Sequence, residues 1–477
     1  MTFVLNGGPG ASSAWLHLGA LGPWRLPMAG DAALPSAPPD LLPNAETWLD
    51  FTDLVFVDPV GTGYSAFARP GDELRRRLWS VEGDIQSLAE IIRRWLENAG
   101  RVGSPKFLVS ESYGGFRGPR LARALQVDQG IGLLGLMLIS PVLDFAGRAL
   151  PFDPLTQATR LPSMVAAARA VSGAVVTRES LAEVERYALG EYLTDLLRGE
   201  RDAEAVARRS ERVAALTGLD SALVRQRRGR LETGEFLREL HRGRHRVGSA
   251  YDATETRPDP FPAALVSRHP DPVLDGLMAP LASAMLELYG KRLDWRPDGR
   301  RYELLNRSVN REWGWGGALS PPEAIGSLRT ALAFDTRLRV VVAHGLFLPR
   351  HPLHGHKGHP RPDAINRGRR SDPVPCLSGW AHVLRARRLA RRIARGGTND
   401  ARATLTQPAS RSGPPCRMSS YGFRPSQSGS PEGRLVEAAE LARMKRAQLT
   451  TKDAEGYQAD GEVLPHSALV ERARGAR

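Results

Sequence analysis

Lys106-Phe-Leu-Val-Ser-Glu-Ser112-Tyr-Gly-Gly-Phe-Arg-Gly-Pro-Arg-Leu-Ala-Arg-Ala-Leu125 is the stretch on which the reading of this chain turns. Lys106 to Val109 is a short apolar run of buried-strand type, and Arg117 to Leu125 is helix-compatible. Between them sits a serine flanked by Ser110 and the glycines 114 and 115. A strand, a cramped turn with a central serine and a helix form a nucleophile elbow, which forces the hydroxyl out at the end of a sheet. Ser112 is therefore the candidate nucleophile. Ser110 stands where such elbows usually carry their first glycine, and it is still small enough for close backbone approach. An ordinary strand-to-helix turn would read the same way, so the neighbouring segments decide.

Phe3-Val4-Leu5 is a second apolar run, ended by Asn6-Gly7-Gly8-Pro9-Gly10, and Leu54-Val-Phe-Val57 is a third, ended by Asp58-Pro59. A glycine pair after a strand frees backbone N–H groups to point at a developing oxyanion, and acyl transfer needs two such donors. The N–H of Tyr113 and one from the Gly7-Gly8 turn are the candidates. Ser80 reads as an N-cap before Ile85, Leu88, Ile92, Trp95 and Leu96, one apolar helical face, with Gly100 as the stop. Strands alternating with helices predict an α/β sheet covered on both faces. Residues 1–149 are the first part of this core, and 150–320 read as a helix-rich insertion or lid. Strand character returns within 321–347, at Leu338 to Ala343. From 348 to 477 no period persists through most of the tail, and little packed structure is expected apart from an isolated amphipathic helix after Arg434.

The strings Phe3 to Ser13, Leu54 to Ser65 and Ser110 to Gly115, in this order with about 45 residues between them, resemble the serine carboxypeptidase family in its bacterial branch. The resemblance covers residues 1–347 and is strongest over the first 145. It implies an α/β-hydrolase fold with a helical insertion, a Ser-Asp-His triad, no cofactor or metal, and removal of residues from peptide C-termini. Carried over, Ser112 resembles the nucleophile, the N–H groups of Gly8 and Tyr113 the oxyanion hole, and Asn6 and Glu111 the pair that binds the substrate's terminal carboxylate. A carboxylate at Glu111 would repel an incoming carboxylate unless one of the two is protonated, so binding should favour acidic pH.

The family's acid follows a strand like Val340 to Phe347, at the head of a D-L-V-T-P-Y type segment, and its histidine lies in a later G-G-H-M stretch. Here the chain reads Leu348-Pro-Arg-His-Pro-Leu instead, and no such histidine motif follows. Codon degeneracy allows both segments in a displaced frame. Arg350 to Lys357 can be encoded so that the next frame reads V-T-P-Y-T-A-T-K, and Cys376 to Leu384 so that it reads V-Y-P-G-G-H-M-F-Y. This predicts a frameshift near Phe347-Leu348. Without acid and base, the binding groups alone give a residual effect of roughly 10³–10⁴-fold over water, so the chain as written is expected to be inactive. His382 lies in scrambled sequence with no strand to position it. The family has leading strands before the first motif, so the sheet is also expected to lack its first edge.

Composition agrees with this division. The net charge is +14, yet residues 348–477 hold 24 Lys+Arg against 11 Asp+Glu, leaving +1 for the rest. Both cysteines, Cys376 and Cys416, and six of the eleven histidines lie in the same tail, so no disulfide framework is possible. No apolar run reaches membrane-spanning length. The N-terminus lacks the basic and apolar regions of a signal peptide, so the chain as written reads as cytoplasmic, whereas members of the family are commonly exported.

Three alternatives remain. The basic tail could be a nucleic-acid-binding arm and His351, His354, His356 and His359 a metal tract, but out-of-frame translation explains both. Gly61-Thr-Gly63-Tyr-Ser-Ala66 imitates a dinucleotide fingerprint, although Asp58-Pro59 interrupts it and no ribose-binding acid follows. The same sheet could also serve an esterase or acyltransferase. Arg225 to Arg230 are expected on solvated helix faces, since acids are interleaved around them.

Overall fold

Strand β1 (Thr2–Leu5) is buried along its length and pairs in parallel with β2 (Leu54–Val57) on one side and β3 (Phe107–Glu111) on the other. Parallel pairing continues through β4 (Gly135–Ile139) to β5 (Arg339–Gly345). The computed structural model describes residues 1–347 apart from 28–33, 147–152, 265–270, 296, 298 and 318–320, and beyond them the strands β6 (Cys376–Leu377) and β7 (Ala468–Glu471). β6 extends the sheet beside β5, and β7 runs antiparallel to β2, giving the order β6-β5-β4-β3-β1-β2-β7. Composition predicts little packed structure in the tail, yet these two short runs join the sheet edges. The helix expected after Arg434 lies outside the described residues.

Parallel neighbours need crossovers, and helices supply them. Between β2 and β3 runs α1 (Val81–Asn98), capped by Ser80, whose Oγ accepts the Gly83 N–H at 3.1 Å. It buries Ile85, Leu88, Ile92 and Leu96 against the sheet, while Trp95 meets Phe3 edge-to-face at 5.7 Å. After it, Gly100 adopts the left-handed conformation that ends the helix. Between β3 and β4 runs α2 (Gly114–Asp128). Alternation along the strands sends Phe3, Leu5, Val55 and Leu108 toward α1 and α2, and Val4, Phe56, Val109 and Met137 toward the opposite face, where Leu16, Leu21 and Trp48 cover them.

From residue 154 to 311 helices dominate. The helices α3 (Pro154–Val171), α4 (Ala203–Thr217), α5 (Ser221–Gln226) and α6 (Thr233–Glu239) share their own apolar core, built on Leu161, Val165, Val213 and Phe236. A small hairpin, Arg246–Gly248 against Thr256–Pro258, interrupts them. Further on, α7 (Met278–Glu287) and the segment around Tyr302 pack back on Ala11, Trp15 and Tyr64 beside the loops that leave β1 and β2. A parallel sheet covered on both faces, with a serine elbow after a central strand and helices inserted before a later core strand, is the α/β-hydrolase architecture.

The chain leaves β1 toward β2 on one side, while β3 lies on the other, so the strand order reverses at the β1–β3 crevice. Ligands of open parallel sheets bind at such a point, beyond the carboxyl ends of the strands. There Ser112 holds φ at +59°, a left-handed conformation that costs a non-glycine residue roughly 1–2 kcal/mol. Replacing Ser112 by glycine should therefore give a protein about 1 kcal/mol more stable than replacing it by alanine, read by urea unfolding. In the core, Ile92→Ala or Leu125→Ala should cost about 2–5 kcal/mol in the same measurement.

Candidate active site

Three hydrogen bonds hold the backbone of Ser112 in its unusual conformation. Its N–H donates to the Ile139 carbonyl at the end of β4 at 2.9 Å, and its own carbonyl accepts from Gly115 N–H at 2.8 Å and Val142 N–H at 3.0 Å. The turn closes only because its neighbours are small. A Cβ on Gly115 would lie 2.2 Å from Pro141 Cβ, and Ser110, fully buried, fills the space beneath α2. Ser112 itself is half-buried at the sheet rim.

The turn after β1 lies directly against this elbow. A Cβ on Gly7 would stand 2.7 Å from Tyr113 N and 2.8 Å from Ser112 Cβ, so only glycine fits between the two loops. Gly8 follows with φ at +106° and is exposed. Neither Gly8 N–H nor Tyr113 N–H donates to an acceptor among the described residues. Tyr113 lies at the N-terminus of α2, where amides have no intrahelical acceptor and the helix dipole favours negative charge.

Asn6 and Glu111 meet as well. The Asn6 Nδ2 donates to Glu111 Oε2 at 3.2 Å, and the Asn6 Oδ1 accepts the Leu16 N–H at 2.9 Å, which fixes the orientation of the carboxamide. Asn6 is buried, whereas Glu111 is half-buried. All five residues singled out in the sequence, Asn6, Gly8, Glu111, Ser112 and Tyr113, therefore lie at the carboxyl ends of the adjacent strands β1 and β3.

Other supports carry no sequence motif. Arg117, in the first turn of α2, is fully buried and forks onto Asp84 of α1, with Nε to Oδ2 at 2.7 Å and Nη2 to Oδ1 at 3.2 Å. Its Nη1 donates to the Asn6 carbonyl at 2.6 Å, and its guanidinium lies over the Tyr113 ring. Burial pushes the Asp84 carboxyl above its ordinary range, against the pull of Arg117. The signal was present: Asp84 and Arg117 each put a charge on the apolar stripe of an amphipathic helix, where a charge needs a partner. Asp58 accepts the Ser13 N–H at 2.7 Å and the Tyr302 hydroxyl at 3.3 Å, tying the loops after β1 and β2 together. Burial, then the Asp58 charge, raises the Tyr302 phenol well above its usual value. Phe145 and Trp315, ring centroids 4.6 Å apart, stand beside Tyr113 as an aromatic wall.

Gly61 to Ser65 closes on itself, with the Gly61 N–H bonding to the Ser65 carbonyl, and the next helix begins only at Asp72. That is not the strand-turn-helix of a dinucleotide site. Of the arginine stretch only Arg225 lies on α5. Arg227 pairs with Glu235, while Arg228 and Arg230 converge with Arg209 on Glu200, so the stretch is an ion-pair network. Among the described residues no cluster of His, Cys, Asp and Glu could hold a metal, and no helix is long and apolar enough to cross a membrane. The acid and base positions expected after Phe347, His382 and the histidines from 351 to 359 all lie outside the described residues.

Comparison with known proteins points the same way as the motifs. Residues 1–160 match the family model described as serine carboxypeptidase. A pheromone-processing carboxypeptidase KEX1 of Yarrowia lipolytica is 30% identical over 151 residues, 31% of this chain and 22% of its own. Serine carboxypeptidase-like 51 of Arabidopsis thaliana is 35% identical over 114 residues, 23% of this chain and 22% of its own. The chain thus spans about a fifth of these curated relatives. The crystal structure of a prohormone-processing carboxypeptidase, Kex1, from Saccharomyces cerevisiae superposes with a TM-score of 0.47 at 14% identity, covering 83% of this chain and 82% of that one. The elbow, the glycine turn and the Asn-Glu pair all lie inside the segment that matches the serine carboxypeptidase model.

Proposed function

We propose that the site removes C-terminal residues from peptides through an acyl-enzyme on Ser112. The observation that carries this reading is the meeting, at two adjacent strand ends, of a strained serine, two backbone N–H groups with no acceptor among the described residues and the Asn6-Glu111 pair. In the reaction Ser112 Oγ attacks the scissile carbonyl and loses its proton to a base. The oxyanion of the tetrahedral intermediate accepts from Gly8 N–H and Tyr113 N–H. Collapse of the intermediate expels the protonated amine of the terminal residue, and water then releases the acyl group from Ser112. The Asn6 carboxamide and a shared proton on Glu111 hold the terminal carboxylate, which selects peptides over simple esters. Residues 150–320 serve as the cap over this cleft, and residues 1–149 with 321–347 as the core.

Acid and base are the missing parts. The proposed frameshift near Phe347-Leu348 replaces the segments that would carry them, so the chain as written binds its ligand but turns over poorly. Sequencing the coding DNA across codons 345–390 and upstream of Met1 tests this directly. Codons incompatible with the displaced readings would remove the frameshift, while full activity of a frame-restored chain on a blocked dipeptide would support it.

Binding can be measured on the chain as it stands. An N-blocked dipeptide with a free C-terminus should bind at least tenfold more tightly than its C-terminal amide, by calorimetry. The affinity should fall as pH rises and the proton shared between Glu111 and the ligand carboxylate is lost, because two ionised carboxylates repel. Equal binding of the amide, with no pH dependence, would leave the esterase or acyltransferase reading in its place.

A further inference from the structure

The buried ion pair between α1 and α2 has no place in the chemistry just described, yet it touches the ligand pocket through the main chain. Arg117 uses one face of its guanidinium for Asp84 and the other for the Asn6 carbonyl. Side-chain exposures of 1% and 3% put both ions out of water, where desolvation opposes them and well-packed apolar residues would serve stability as well or better. A pair of this kind contributes geometry, and here the geometry it fixes is that of Asn6.

Every polar group of Asn6 has a partner, and Nδ2 carries a second hydrogen beyond the one given to Glu111. Its carbonyl accepts from Arg117 at 2.6 Å, its N–H points to Ser13 Oγ at 3.4 Å, Oδ1 accepts from Leu16 N–H and Nδ2 donates to Glu111. Among the described residues, the Arg117 bond is the one hydrogen bond that links Asn6 to the helix that begins at the elbow. Arg117 is five residues beyond Ser112 and braces Tyr113 with its guanidinium 5.0 Å from the ring centroid. One buried cation therefore contacts both the strand end that carries the carboxamide and the helix at whose start the Tyr113 N–H lies.

We propose that Arg117, oriented by Asp84, is a positioning residue that sets the Asn6 carboxamide against Glu111 and so fixes the register of the carboxylate pocket with the serine elbow. The part of this inference that concerns ligand rests on the carboxypeptidase reading. The part that concerns Asn6 does not.

The test uses the full chain and two variants. Asp84→Leu with Arg117→Met replaces the pair by apolar side chains of comparable length, and Arg117→Lys keeps a charge facing Asp84 without the two-sided fork. Unfolding in urea establishes that each is folded. Leu16 N–H is the reporter, since its acceptor is Asn6 Oδ1. Hydrogen exchange in peptides covering residues 13–20 should quicken about tenfold or more in the double variant and to a lesser degree in Arg117→Lys. Peptides from Ala203–Thr217, remote from the pair, should not change. Affinity for N-acetylphenylalanine, measured by calorimetry, should fall about tenfold in the double variant. Unchanged exchange at Leu16 in a folded variant overturns the proposal, whether or not affinity falls. If the parent chain does not prefer N-acetylphenylalanine over its amide while Leu16 still loses protection in the variants, the carboxypeptidase reading fails and the positioning role stands.

Discussion

The close approach of Gly7 to the backbone at Ser112 is the constraint from which the rest of the site follows. β1 and β3 are in register, with Leu5 opposite Ser110, so both chains must leave the sheet at the same level. Two loops departing side by side collide unless one of them lacks a side chain, and Gly7 is that residue. With the collision avoided, the elbow can bend through a left-handed serine, and the Tyr113 N–H emerges beside the Gly8 turn. Asn6, one residue beyond the register, falls next to Glu111 for the same reason. A strand slip of one residue would turn Asn6 to the other face and separate the two loops together.

The electrostatics of the crevice are built in a similarly economical way. Glu111 faces Asn6, a neutral donor, and Arg117, although close in sequence, is directed away into Asp84 and a main-chain carbonyl. The cation is thus spent on structure. If a terminal carboxylate enters beside Glu111, as proposed, it needs a proton between the two acids, which would make recognition dependent on pH in a way that an arginine clamp would not.

Much of this was legible in the sequence, and the exceptions have physical causes. β1, β2 and the helix capped by Ser80 were marked by apolar runs, a glycine stop and a 3.6-residue period. The elbow was marked by residue type and spacing. Gly135-Leu-Met-Leu-Ile139 was not singled out, because a run of five apolar residues bears no period that separates strand from loop or helix. The hairpin at Arg246–Gly248 carries two polar or small residues out of three, which propensity does not favour. Asp84 and Arg117 are legible only as charges on apolar helical stripes; that they pair with each other comes from the packing of α1 on α2. Arg225 to Arg230 are expected on solvated helix faces, but the helix ends at Gln226, Arg228 takes a positive φ and the stretch turns to reach Glu200.

The distribution of parts along the chain has its own consequence for how such a site can fail. On the proposed reading, nucleophile, oxyanion donors and carboxylate pocket all come from the ends of β1 and β3 and the loops that follow them, within the first 113 residues. On the same reading a base and its orienting acid come from the chain beyond β5, which lies on the side of β3 away from β1. The two halves of the chemistry are therefore separated by the whole helical insertion and by some two hundred residues of chain. On the proposed reading, a change of frame after β5 removes the proton-transfer half while the register of β1 with β3, and with it the binding half, stays as it was. Because hydrogen bonds and packing within residues 1–347 already hold the elbow, that reading makes recognition of a peptide's end separable from its hydrolysis.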